Sequence, residues 1–181
     1  MNANYVYFIS SLPTLLFQAK LPFTFDEFIA KAENVLSPKD LDILKNLPKV
    51  DNLNEYSTQG IIKKILDFET VLRNELVKLR AARIKIDALQ YLRPDVYAGP
   101  AIVHIALSAQ RNPHVLDAEK ILDEARWSYL DELSFGHYFD LDYLIIYAYK
   151  LNILERWDNV FKADKEKILE EVLWKSELAE Y

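Results

Sequence analysis

The chain has 181 residues, 51% of them hydrophobic, which is enough to bury a sizeable core in one domain or two small lobes. It holds no cysteine and only three glycines, so disulfides, thiol catalysis, thiolate metal sites and a turn-rich β-protein are all disfavoured. A formal net charge of -6 argues against nucleic acid as the main partner. Charge is nevertheless uneven. From Ile61 to Arg93, eight basic residues face four acidic ones, whereas from Asp117 onward sixteen acidic residues face eight basic ones. A basic stripe opposite an acidic half can steer docking; the plainer reading is solvated helix faces.

In chain order, Tyr5–Ile9 is a short apolar run that reads as an extended, partly buried segment. No basic start with an apolar core and small-residue cleavage site is visible, so no signal peptide is expected. Thr24-Phe25-Asp26-Glu27 is a capping box, in which the Thr oxygen and the Glu carboxylate each satisfy an orphan N–H. A helix should follow to about Val35, with Phe25, Phe28, Ile29 and Ala32 inward. Ser37-Pro38 starts a second, short helix that stops before Pro48. Lys49–Tyr56 is polar and reads as a loop.

Ser57 or Thr58 should cap a long helix running to about Ile86. Ile61, Ile65, Phe68, Leu72, Leu76 and Leu79 keep helical spacing along it. Arg93-Pro94 ends this region, because the residue before proline disfavours helix, and Pro94–Pro100 reads as a connector. Ala101–Ala109 is a short apolar helix. Pro113–Leu133 follows as a helix with Val115, Ala118, Ile121, Leu122, Ala125 and Tyr129 inward, closed by Ser134-Phe135-Gly136.

Phe139–Asp158 is the most apolar segment. Leu141, Leu144, Ile145, Ala148, Leu151, Leu154 and Trp157 mark one helix face, and Ile146, Tyr147, Tyr149 and Ile153 make the opposite face apolar as well. A helix apolar all round must be buried between other elements. It is too short and too interrupted to span a bilayer. A last amphipathic helix over Asp164–Ala179 carries Trp174 beside Ile168, Leu169, Val172 and Leu173; it either covers the core or docks on a partner. The expected fold is mainly α: a compact helical bundle over residues 1–181 with a short extended N-terminal segment. Two related lobes, 1–100 and 101–181, are suggested by an echo in which Ile62-Lys63-Lys64-Ile65 precedes Glu69 as Ala148-Tyr149-Lys150-Leu151 precedes Glu155.

Reaction chemistry is poorly represented. Gly60, Gly99 and Gly136 lie too far apart for a nucleotide-binding loop, and HExxH is absent. His137 with Asp140 and Asp142 is the one small polar cluster; it is either a metal or catalytic site or, more simply, an acid at a helix start beside a loop histidine. The acidic pairs Asp123–Glu124, Asp131–Glu132 and Glu170–Glu171 read as solvated faces. No cofactor, metal or catalytic residue is expected.

Three stretches together, Asn4–Leu15, Leu72–Pro94 and Phe139–Trp157, resemble a small bacterial family encoded among V/A-type ATPase genes. That family looks like a reduced relative of the C-type component of the ATPase, called d in eukaryotes, a non-catalytic socket that seats the central stalk on the membrane rotor ring. Glu69, Arg73, Asn74 and Arg80 resemble its acidic-then-basic helix pattern, and Glu155 with Arg156 resembles a second copy. The resemblance implies a non-catalytic protein in the cytoplasm, peripheral on the inner membrane through the ATPase, with central-stalk and rotor-ring subunits as partners. Candidate partner-binding residues are Arg73, Arg80, Arg83, Arg93, Glu155, Arg156 and Trp174. A free-standing helical adaptor is the alternative, and a small metal-dependent enzyme near His137 a further one.

Overall fold

A computed structural model describes residues 3–47, 60–94 and 99–178, with the side chains of 5–47, 60–94 and 99–163. Among these residues the chain forms seven α-helices, one 3-10 turn and no strand. The helices are α1 (Ala3–Ser11), α2 (Phe25–Glu33), α3 (Pro38–Lys45), α4 (Gly60–Ile84), α5 (Pro100–Arg111), α6 (Val115–Ser134) and α7 (Leu141–Leu178). The expected all-helical fold is therefore what the chain adopts.

The centre is the first half of α7. Leu144 to Tyr149 are six consecutive residues, none more than 8% exposed. Around them pack α1, α2, α3, the start of α4 and the end of α6, through Phe8, Phe28, Leu44, Ile61 and Leu130 among others. A smaller cluster, Leu72, Ala109 and Leu122, holds α4, α5 and α6 together. Each cluster takes residues from both sides of residue 100.

The helix starts follow the sequence signals. In α2 the capping box is complete: Glu27 N donates to Thr24 Oγ1 (3.2 Å) and Thr24 N donates to Glu27 Oε2 (2.9 Å). In α3 the amide of Asp40 donates to Ser37 Oγ at 3.2 Å, with Pro38 at the first position. The long helix α4 ends two residues short of Ile86. Lys85 turns left-handed (φ 59°), and Ile86 N reaches back to Ala81 O at 3.1 Å, the closing bonds of a Schellman motif. A glycine usually fills that place, so the lysine bears a local steric cost.

Four expectations need correction. Tyr5–Ile9 is not extended but lies in α1. Its aromatic and β-branched residues favour a strand locally, yet helical spacing sends Phe8 and Ile9 into the core together, and that burial wins. The central and last helices are one 38-residue helix, because Asn159–Ala163 contains no glycine or proline to interrupt it. The Lys162–Asp158 ion pair (2.6 Å) links one turn to the next across that join. Val115 is not inward but exposed on the first turn of α6. Asp123, expected in solvent, is buried. The expected cap at Ser57 or Thr58, the Lys49–Tyr56 loop and residues 95–98 of the connector lie outside the described residues.

Leu151 is fully buried on α7 in the main cluster. Leu151→Ala should lower unfolding stability by about 2–5 kcal/mol in urea titration. A loss below about 1 kcal/mol would show that α7 is not the packed centre described.

Candidate functional site

Three helices contribute to one buried polar cluster. Glu69 on α4 is 6% exposed and Asp123 on α6 only 1%. Burying a carboxylate costs several kcal/mol unless it is paired and hydrogen-bonded, so both need strong partners. Arg126, one turn along α6 from Asp123, provides them. Its Nε donates to Glu69 Oε1 at 2.7 Å and its Nη2 to Glu69 Oε2 at 3.2 Å, a forked pair. Its Nη1 donates to Asp123 Oδ1 at 2.9 Å. The other Asp123 oxygen accepts from Trp157 Nε1 at 2.7 Å and from Arg156 Nη2, both on α7. Burial works against the Arg126 charge, but Glu69 and Asp123 together outweigh it and hold the guanidinium pKa above its ordinary value.

The cluster forms part of the wall of a cleft of about 640 Å³ between α4, α6 and α7. Phe68 and Tyr129 stack across it at 4.3 Å with planes 10° apart. The Tyr129 hydroxyl donates to Lys64 O at 3.3 Å. Tyr149 also lines the cleft; burial, and then the charge of Glu69, push its phenol well above the usual range. Glu69 and Glu155, the two acids of the sequence echo, both reach this cleft but hold different partners. Glu155 Oε2 accepts from Phe25 N at 3.1 Å, which ties α7 to the start of α2.

Chemically, the cluster is closed. General acid–base catalysis needs a carboxyl group free to exchange a proton with a substrate. Glu69 and Asp123 instead accept from guanidinium and indole donors on neighbouring helices. What the arrangement does is cross-link α4, α6 and α7 in a fixed register.

The His137 cluster has a similar local explanation. His137 Nδ1 lies 2.7 Å from Asp140 Oδ2 and 3.7 Å from Asp142 Oδ2. The other Asp140 oxygen accepts from Tyr143 N at 2.9 Å, which makes Asp140 the cap of α7. Burial raises the Asp142 pKa, partly countered by His137. Among the described residues no group of three or more His, Asp or Glu side chains is arranged to hold a metal ion.

The seven residues expected to bind a partner are scattered. Arg73, Arg80 and Arg83 lie exposed along α4 and make no ion pair among the described residues. Arg93 follows the 3-10 turn Leu89–Tyr91. Its backbone N–H donates to Asn74 Oδ1 (3.0 Å) and its carbonyl accepts from Asn74 Nδ2 (2.8 Å), while its Nη1 is buried without a hydrogen bond among the described residues. Glu155 and Arg156 belong to the internal contacts just described. Trp174 lies in α7, its side chain outside the described residues. Asp123 and Arg126 escaped the sequence reading, although a signal existed. Asp123 stands four and seven residues before the buried Trp127 and Leu130, which places an acid inside an apolar helix stripe.

Residues 100–176 match the model of a family described as a protein of unknown function (DUF2764). The match covers α5, α6 and nearly all of α7, under half of the chain, and so includes Asp123, Arg126, Arg156 and Trp157 but not Glu69. No curated protein and no solved structure matches the chain.

Asp123→Ala should leave the Trp157 N–H and one Arg126 N–H without their acceptor, while Arg126 keeps its forked pair with Glu69. The expected loss is about 1–3 kcal/mol in chemical unfolding, the cost of donors left unsatisfied. A double-mutant cycle of Glu69→Gln with Arg126→Met should show clear coupling; additive effects would mean that the cross-link carries no shared energy.

Proposed function

We propose that the protein is a non-catalytic helical subunit or accessory protein of a V/A-type ion-translocating ATPase. It would couple or assemble the central stalk and membrane rotor by protein–protein docking on the cytoplasmic side. The sequence resemblance over Asn4–Leu15, Leu72–Pro94 and Phe139–Trp157 supports this reading. The observation that carries it is a division of labour among charges. The buried acids are satisfied internally, whereas Arg73, Arg80 and Arg83 stand exposed on α4 and, among the described residues, without ion partners. Arg73 and Arg80 are seven residues apart and therefore share a helix face.

The docking follows from two physical properties. Exposed like charges along a helix orient an approaching acidic surface and raise the on-rate more than the affinity. The Glu69–Arg126–Asp123 cross-link couples α4 to α6 and α7, so force applied to α4 is borne by the core rather than by one hinged helix. No helix among the described residues is long and apolar enough to cross a membrane.

Affinity purification from native membranes, with quantitative mass spectrometry, should recover stalk and ring subunits in fixed ratio to this protein. Arg73→Glu combined with Arg80→Glu should reduce that recovery about tenfold or more with helicity unchanged. Recovery of the wild-type protein alone would sink the subunit reading and leave a free-standing adaptor.

A further inference from the structure

One end of the molecule carries an unusual surface. The amide of Gln110 donates to Leu79 O at 3.0 Å, which sets the last turn of α5 against the last turns of α4. The first turn of α6 follows four residues after α5, so it lies at the same end. Six large apolar side chains are exposed there: Ile84, Ile86, Leu89, Tyr91, Val115 and Leu116. Leu89 is 74% exposed and Val115 76%, values ordinarily reserved for polar residues. Basic residues are interleaved with them. Arg83 and Lys85 alternate with Ile84 and Ile86 in the sequence, Arg80 lies one turn before, and Arg111 ends α5. The nearby acids are Asp87, whose carboxylate accepts from Leu89 N at 3.0 Å, and Asp117.

We propose that this end is a peripheral docking surface for an anionic lipid bilayer. Two features favour lipid over a protein partner. The apolar side chains sit at chain turns and helix ends, where they are exposed to solvent. The core of a protein–protein interface is also depleted of charge, and of lysine especially. Here cations alternate with aliphatic side chains over Arg83–Ile86, an arrangement that suits the headgroup boundary, where apolar groups enter and cations stay among phosphates. The net charge of -6 opposes a general attraction to an anionic surface, so the binding rests on this end alone. The protein would lie on the membrane, in keeping with the absence of a spanning helix among the described residues.

Vesicle co-sedimentation of the purified full chain tests this without any ATPase present. Binding is expected to vesicles of phosphatidylcholine with about 30% phosphatidylglycerol, to weaken as salt is raised, and to be about tenfold or more weaker on phosphatidylcholine alone. Each surface cation contributes about fivefold, so Lys85→Glu with Arg111→Glu should weaken binding about 25-fold or more. Leu89→Ser with Tyr91→Ser should weaken it as well, with helicity unchanged. Phe135→Ser, at the other end of α6 and 86% exposed, is the control and should bind as wild type. No binding to anionic vesicles, equal binding to neutral ones, or an equal loss in the Phe135 variant would each overturn the proposal. If vesicles are not bound but the Leu89/Tyr91 variant loses ATPase subunits on purification, the surface is a protein-docking site, and the docking function survives without the lipid contact.

Discussion

Water must be kept from every side of α7 between Leu144 and Tyr149, and most of the architecture answers that constraint. An amphipathic helix needs a partner on one face only; this segment needs neighbours all round. α1, α2 and α3 cover one part of it, and α4 and α6 cover the rest. The hydrophobic effect has no direction of its own, so burial alone would not fix the register of these helices. Register comes from the polar contacts at the edge of the core. Glu155 meets the first amide of α2, the Tyr147 hydroxyl donates to Pro13 O at 3.0 Å, and Asp123 joins α6 to α7.

The Glu69–Arg126–Asp123 cluster has a different character from these single contacts. Two carboxylates and the Arg126 guanidinium sit where water is largely excluded, and the half-exposed Arg156 closes the cluster from outside. Such an arrangement gains little net stability, because desolvation offsets most of the Coulomb energy. Its consequence is intolerance of misplacement. Shifting α4 or α6 along its axis would strand a buried charge, so a slid or swapped packing is penalised more than the native one is rewarded. The family match includes the α6 and α7 members of the cluster but not Glu69 on α4.

Outside the core, the surface divides into regions of distinct chemistry. The α4 face is basic and open; the end formed by α4, α5 and α6 mixes cations with aliphatic side chains; the turn between α6 and α7 exposes Phe135 and Tyr138. Single exposed apolar residues are ordinary on protein surfaces. Six of them lie at one end, two of them, Ile84 and Ile86, interleaved with Arg83 and Lys85.

Much of the fold was legible in the sequence, and the reasons are local. The capping box at Thr24, the serine and proline at Ser37-Pro38, and the all-round apolar pattern of the central helix each depend on residues within a turn or two of one another. Helix ends with the same local character, such as Gly99-Pro100, also fell within a few residues of expectation. What only the tertiary structure decided were matters of distant contact. Tyr5–Ile9 became helix because Phe8 and Ile9 meet a core built from residues far along the chain. Asp123 looked like one acid among many until α7 brought Arg156 and Trp157 against it and α4 brought Glu69 to its helix neighbour Arg126. Arg80, Lys85, Leu89 and Val115 came to one end of the molecule only when α5 packed along α4 and α6 followed it. Periodicity and capping are written in neighbouring residues; which buried charges meet, and which apolar side chains stay uncovered, depends on how helices far apart in sequence pack.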